Sequence, residues 1–203
     1  MSAPTVPTSP AGRGLAVVGV HTVYERVGVL VRARPAEPHP ASGLLAPPVM
    51  VTRTGSEAAG WVTSAVTAVR LASMAARSLG YAPRVAVRRP VAGGNWSWAA
   101  LVTGALLADI DAAALVLVGG RQLTAAIVQR EAAANQASPP PDPRDRRSYD
   151  EWWRSQAWRR GYPAELLGPQ EQAGRGVRQV LRLAWDVAGA AGLRLAAQGG
   201  AVA

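Results

Sequence analysis

The stretch Leu15–Ala33, LAVVGVHTVYERVGVLVRA, decides what the rest of the chain can become. Residues 15–23 form a nearly unbroken run of apolar and β-branched side chains, the pattern of a buried strand. Tyr24-Glu25-Arg26 interrupts the run, and Val27 to Ala33 resumes it, so the spacing predicts a hairpin. A proline-rich loop over 35–48 leads to a third short strand, Val49 to Thr52, which extends the hairpin into an antiparallel meander.

The elements that follow alternate in type. Thr54 with Glu57 reads as a capping box opening a helix that runs to Ser78, with Val62, Val66 and Val69 on one face and Gly80 beyond its end. The fourth strand lies in RVAVRRP, residues 84–90, where three apolar residues lead to Arg88, Arg89 and Pro90. A loop over 92–95, a helix over 96–108 and a fifth strand over 113–118 come next, with strands one, four and five expected to be parallel. Gly119-Gly120 breaks the chain before a helix over 122–137. Residues 1–14 read as a disordered tail and 138–147 as a linker. A Trp/Arg-rich helix over 148–160 and a last helix over about 170–195 complete the core built by residues 15–137. This order predicts an α/β fold: a mixed five-stranded sheet with helices on both faces, plus C-terminal helices.

Composition narrows the partner. The chain has 203 residues and 22 basic side chains against 13 acidic ones. Every basic residue is arginine, and lysine, cysteine and phenylalanine are absent, the signature of a GC-rich coding sequence. The missing cysteines exclude disulfides and thiolate metal sites. The net charge of +9 favours a polyanion, nucleic acid first. The first 14 residues lack the basic start and apolar run of a signal peptide, and Asp109 and Asp111 interrupt the most apolar region. These features predict a soluble, cytoplasmic protein with no membrane segment.

The element order is that of the ribonuclease H fold, and three short motifs resemble the RuvC-like Holliday junction resolvases. Gly19-Val20-His21 stands where the family's first strand ends in Gly-apolar-Asp, with Gly28 at the family's spacing. Val85-Ala86-Val87-Arg88, after Gly80 and before Pro90, stands where the family reads apolar-Ala-apolar-Glu. Asp186-Val187-Ala188 matches the last helix. The resemblance covers about residues 15–192. It implies a nucleic-acid-binding protein of a phage, mobile element or other DNA-processing system, acting on structured DNA and forming a homodimer. It also implies a carboxylate cluster holding two Mg²⁺ ions, and there the chain departs.

His21, Arg88 and Asp186 occupy the cluster positions, and only one of them is a carboxylate. Arginine has no lone pair to give a metal and stays charged, so Arg88 repels the cation the site is expected to bind. The expectation is therefore no metal cofactor and a lost or altered nuclease activity, with Arg88 and Arg89 turned toward phosphate. Three other readings stay open. His21, Glu25 and Asp186 could form an atypical Mg²⁺ nuclease site; Arg88 could pair with Asp186 as a buried relic; or the protein could serve a structural role in an assembly. Further along, Trp152, Trp153 and Trp158 interleave with Arg154, Arg159 and Arg160, a composition suited to stacking on bases and pairing with phosphates, or to docking tryptophans on the core.

Overall fold

The computed structural model describes residues 14–33, 43–91, 96–137, 141–142, 144–148, 162–166 and 175–199. Five strands form one sheet: β1 (Leu15–Val23), β2 (Arg26–Ala33), β3 (Val49–Thr52), β4 (Ala82–Arg88) and β5 (Leu115–Val118), in the order β3-β2-β1-β4-β5. β1–β2 and β2–β3 are antiparallel, while β1–β4 and β4–β5 are parallel. Among the described residues four long helices lie on it: α1 (Ala58–Ser78), α2 (Trp96–Asp109), α3 (Gly120–Ala137) and α4 (Arg175–Gly199). This is the mixed five-stranded sheet that the sequence predicts, with helices on both faces.

The two faces follow from the alternation of side chains along a strand. On β1, Ala16, Val18 and Val20 join a core with Trp61, Ala65 and Val69 of α1 and Val102 and Leu106 of α2. Val17 points the other way, into a core with Leu123 of α3 and Ala184, Val187 and Ala188 of α4. β1 is buried on both faces, which is why its sequence is almost continuously apolar.

Two glycines set how closely α4 approaches. A methyl group at Gly19 would collide with the backbone carbonyl of Ala184, and one at Gly28 would lie 3.1 Å from the Val180 carbonyl oxygen. Both obstacles are helix backbone, which cannot swing aside as a side chain can. Gly19→Ala should therefore cost about 3 kcal/mol, the upper range for overpacking. Urea midpoints of the two proteins check it, and an unchanged midpoint would show that α4 has room to shift.

Several sequence expectations need correction. The N-cap of α1 is Glu57, with no side-chain cap bond, so Thr54 and Glu57 do not form a capping box. Gly55 lies between them at φ +88, in a conformation that turns the chain before the helix begins. The buried stripe of α1 is Trp61, Ala65, Ala68, Val69, Ser73 and Ala76, while Val62 and Val66 are only partly covered. β5 begins at Leu115 because Asp111 accepts a hydrogen bond from the Ala113 amide and holds residues 112–114 in a 3₁₀ turn. α3 starts at Gly120, two residues early, since the Gln122 side chain accepts from the Gly119 amide at 2.9 Å and caps the helix. Within the described residues the last helix spans Arg175–Gly199, so it ends four residues beyond the expected 195. The Trp/Arg-rich segment, 148–160, lies outside the described residues after Ser148. Among the described residues no helix is long and apolar enough to cross a membrane.

Candidate functional site

The carboxyl ends of the parallel strands form one tip of the sheet. In open α/β sheets such ends are where loops gather and ligands are met. Val20 pairs with Val87 and Arg88 with Val118, so His21, Arg88 and Val118 follow one another across β1, β4 and β5. On the other side His21 pairs with Gly28.

His21 is buried, with 2% of its surface exposed, and its Nδ1 atom has no hydrogen-bond partner. Burial first, and the neighbouring Arg88 guanidinium second, push its pKa down from 6.5 to about 4. The imidazole is thus neutral at physiological pH, with a polar atom unsatisfied in the core. Leaving such an atom unpaired costs on the order of 1–3 kcal/mol. Arg88 is half-buried, and among the described residues no carboxylate pairs with it. Arg89 beside it is exposed, its amide donating to the Val118 carbonyl at 2.9 Å.

The lowered His21 pKa has a consequence for stability. Between pH 4 and 6.5 the unfolded imidazole binds a proton that the folded one refuses. Stability contributed by neutral His21 is therefore present above pH 6.5 and lost as pH falls toward 4, by at most about 3 kcal/mol. His21→Gln should remove this slope. Asp186, whose carboxyl is raised, has the opposite sign but is present in both proteins, so the difference between their urea midpoints at pH 7 and pH 4.5 isolates His21. An identical pH dependence would show that the ring is hydrated.

Asp186 is not at the tip. It is buried on α4, and both carboxylate oxygens are engaged: Oδ1 accepts from Arg130 Nε of α3 at 2.9 Å, and Oδ2 accepts from the Tyr162 hydroxyl at 2.8 Å. The Arg130 guanidinium lies 4.1 Å from the centre of the Tyr162 ring. Arg32 of β2 adds its charge and rests 4.1 Å from the centre of the Trp185 ring. Burial pushes the Asp186 carboxyl up, while Arg130, the Tyr162 hydroxyl and Arg32 pull it back down. Burial likewise lowers Arg32, opposed by Asp186. The relic ion pair between Arg88 and Asp186 does not form; the partner of Asp186 is Arg130.

Glu25 stands in the β1–β2 turn and pairs with Arg53 at 2.8 Å. It is brought neither to Asp186 nor to His21 by any hydrogen bond. Among the described residues no three His, Asp or Glu side chains gather to hold a metal ion. Two Mg²⁺ ions demand several carboxylate oxygens. A neutral imidazole, a guanidinium and a carboxylate already bound by Arg130 and Tyr162 do not supply them, so the described residues do not fit the metal pair. Asp109 and Asp111 serve local structure, the first bound by Arg70 and the second capping the 3₁₀ turn. Arg154, Arg159, Arg160, Trp152, Trp153 and Trp158 lie outside the described residues.

Arg130, Tyr162 and Arg32 are the functional neighbours that sequence reading missed. Arg130 is 56 residues from Asp186 and Tyr162 is 24 residues away, so no local motif links them. Arg32 did leave a signal. It shares the inward register of Gly28 and Leu30, and a lone cation on a buried strand face calls for a counter-charge.

Compared with known proteins, the chain matches no family model. No curated protein matches it. Among solved structures it is similar to T. thermophilus RuvC in complex with Holliday junction substrate, at 16% identity over 87% of this chain and 92% of that one, with a TM-score of 0.46.

Proposed function

We propose that this protein binds nucleic acid, structured DNA in the first instance, through the basic tip of its sheet, and that it does so without metal-dependent cleavage. One observation carries the reading. His21 and Arg88 stand together at the carboxyl ends of β1 and β4, while the remaining carboxylate of the constellation, Asp186, is bound by Arg130 and Tyr162. A half-buried guanidinium beside a neutral imidazole attracts an anion and repels a cation. The anion that a chain of net charge +9 meets most readily is a phosphate backbone. Arg89, exposed next to Arg88, widens the same basic edge. Arg154, Arg159 and Arg160 extend the proposal to the Trp/Arg-rich segment, where Trp152, Trp153 and Trp158 would stack on bases.

Fluorescence anisotropy on a labelled four-way junction and a matched duplex, titrated at several salt concentrations, tests this. Binding should weaken steeply between 50 and 200 mM salt, with a log–log slope near 0.9 per phosphate contacted. The double variant Arg88→Ala, Arg89→Ala should weaken binding and flatten that slope by about 2. The triple variant Arg154→Ala, Arg159→Ala, Arg160→Ala should flatten it further. Unchanged affinity and slope in the double variant would remove the sheet tip from the interface.

A further inference from the structure

The β1–β2 turn lies at the same end of the sheet as His21, and beside it is a pocket of about 510 Å³. Its lining combines two aromatic rings, Tyr24 and Trp98, with Glu25, Arg26, Thr52 and Gln179. That volume lies within the usual range for small-ligand sites. The lining is mixed in a specific way: flat apolar surfaces together with both donors and acceptors.

The pocket walls are held in place. Trp98 meets Trp61 edge-on with ring centres 5.6 Å apart, and the Arg53 guanidinium lies 4.5 Å from its ring centre. The same Arg53 fixes Glu25 through a 2.8 Å ion pair, so one cation positions both an aromatic wall and a carboxylate. Tyr24 is the unusual member. It is 65% exposed and sits at φ +51, a left-handed conformation that bulky side chains rarely adopt. A tight hairpin turn needs a residue of positive φ, and glycine or asparagine fills that need without strain. The turn conformation thus places Tyr24 in the wall of the pocket.

We propose that this pocket receives one unpaired nucleobase of a bound nucleic acid, with Tyr24 and Trp98 supplying aromatic surface and Glu25 accepting hydrogen bonds from an exocyclic amino group. The proposal rests on the nucleic-acid reading above and specifies what that reading leaves open: the bound strand is recognised where a base is free of its partner. Only a planar group with apolar faces and a hydrogen-bonding edge uses all parts of this lining. The Arg26 guanidinium stands beside the pocket, where the charge of the attached phosphate would meet it.

The test compares three labelled duplexes of identical length: fully paired, carrying one bulged adenine, and carrying an abasic residue in place of that adenine. The full-length protein should bind the bulged adenine about tenfold more tightly than the abasic form. Tyr24→Ala, which keeps a Cβ atom at the same φ, should abolish that preference while leaving affinity for the paired duplex unchanged. Tyr24→Phe should retain it. Circular dichroism of each variant excludes a folding defect. Equal affinity for adenine and abasic bulges, with duplex binding intact, overturns the pocket assignment and leaves the nucleic-acid reading standing. Binding to none of the three overturns both.

Discussion

Asp186→Ala should lower the stability of this protein by about 3–5 kcal/mol, a large share of the roughly 5–15 kcal/mol that holds a domain together. The reason is what the substitution leaves behind. Arg130 has 12% of its side chain exposed and would lose its 2.9 Å carboxylate contact. Tyr162 would lose its acceptor, and the buried charge of Arg32 would lose an attraction that offsets its desolvation. Removing one member of a buried ionic network costs more than the network contributes, because the others are stranded. In a chain of this size each kcal/mol corresponds to a shift of about 2–4 °C in Tm, so calorimetry should show a fall of about 6–20 °C. Asp186→Asn, which keeps an acceptor for Tyr162 but surrenders the charge, should fall between wild type and Asp186→Ala. The opposite result is equally informative. A carboxylate poised for metal at an open site suffers repulsion or incomplete bonding there, and its removal is neutral or stabilising. A Tm unchanged or raised in Asp186→Ala would return Asp186 to the candidate active site.

β1, β2 and β4 were legible because their buried runs leave continuous apolar sequence, and β5 because it alternates. β1 and β4 read as apolar runs, and the parallel pairing of β1, β4 and β5 followed from the helices between them. Boundaries were lost where side chains bond to nearby backbone: the Asp111 turn shortened β5, and Gln122 lengthened α3. At the tip, the neighbourhood of His21 and Arg88 was legible, since strand register alone puts them side by side. The position of Asp186 was not. Its motif, Asp186-Val187-Ala188, says which residue is present but not how far along β1 its helical turn will rest. That distance is set by Gly19 beneath Ala184 and Ala188 and by Gly28 beneath Val180, contacts no linear pattern encodes. The pocket by the turn was equally hidden, because Trp98 and Gln179 reach it from separate elements.

Purified protein should not cleave four-way junctions in Mg²⁺ or Mn²⁺, and chelator should make no difference to their integrity. A divalent ion entering the tip would face the fixed cation of Arg88 and an imidazole whose pKa is depressed by burial first and by Arg88 second. At a few ångströms, like charges repel by several kcal/mol at an effective dielectric constant near 20. His21 alone offers a single neutral lone pair, far from the oxygen-rich shell such ions require. The double variant His21→Asp, Arg88→Glu changes both terms together, replacing an imidazole and a cation by two carboxylates on adjacent parallel strands. Titration calorimetry with Mn²⁺ should detect binding in that variant and none in the wild type. Turnover should remain small, because the third carboxylate, Asp186, stays held by Arg130 and Tyr162 rather than turning to the tip. Chelator-sensitive cleavage by the wild type would reverse this account. If Glu25→Gln then abolished it, the site would be His21 with Glu25 and Asp186, and the ion pair between Glu25 and Arg53 would have to open for the metal to enter.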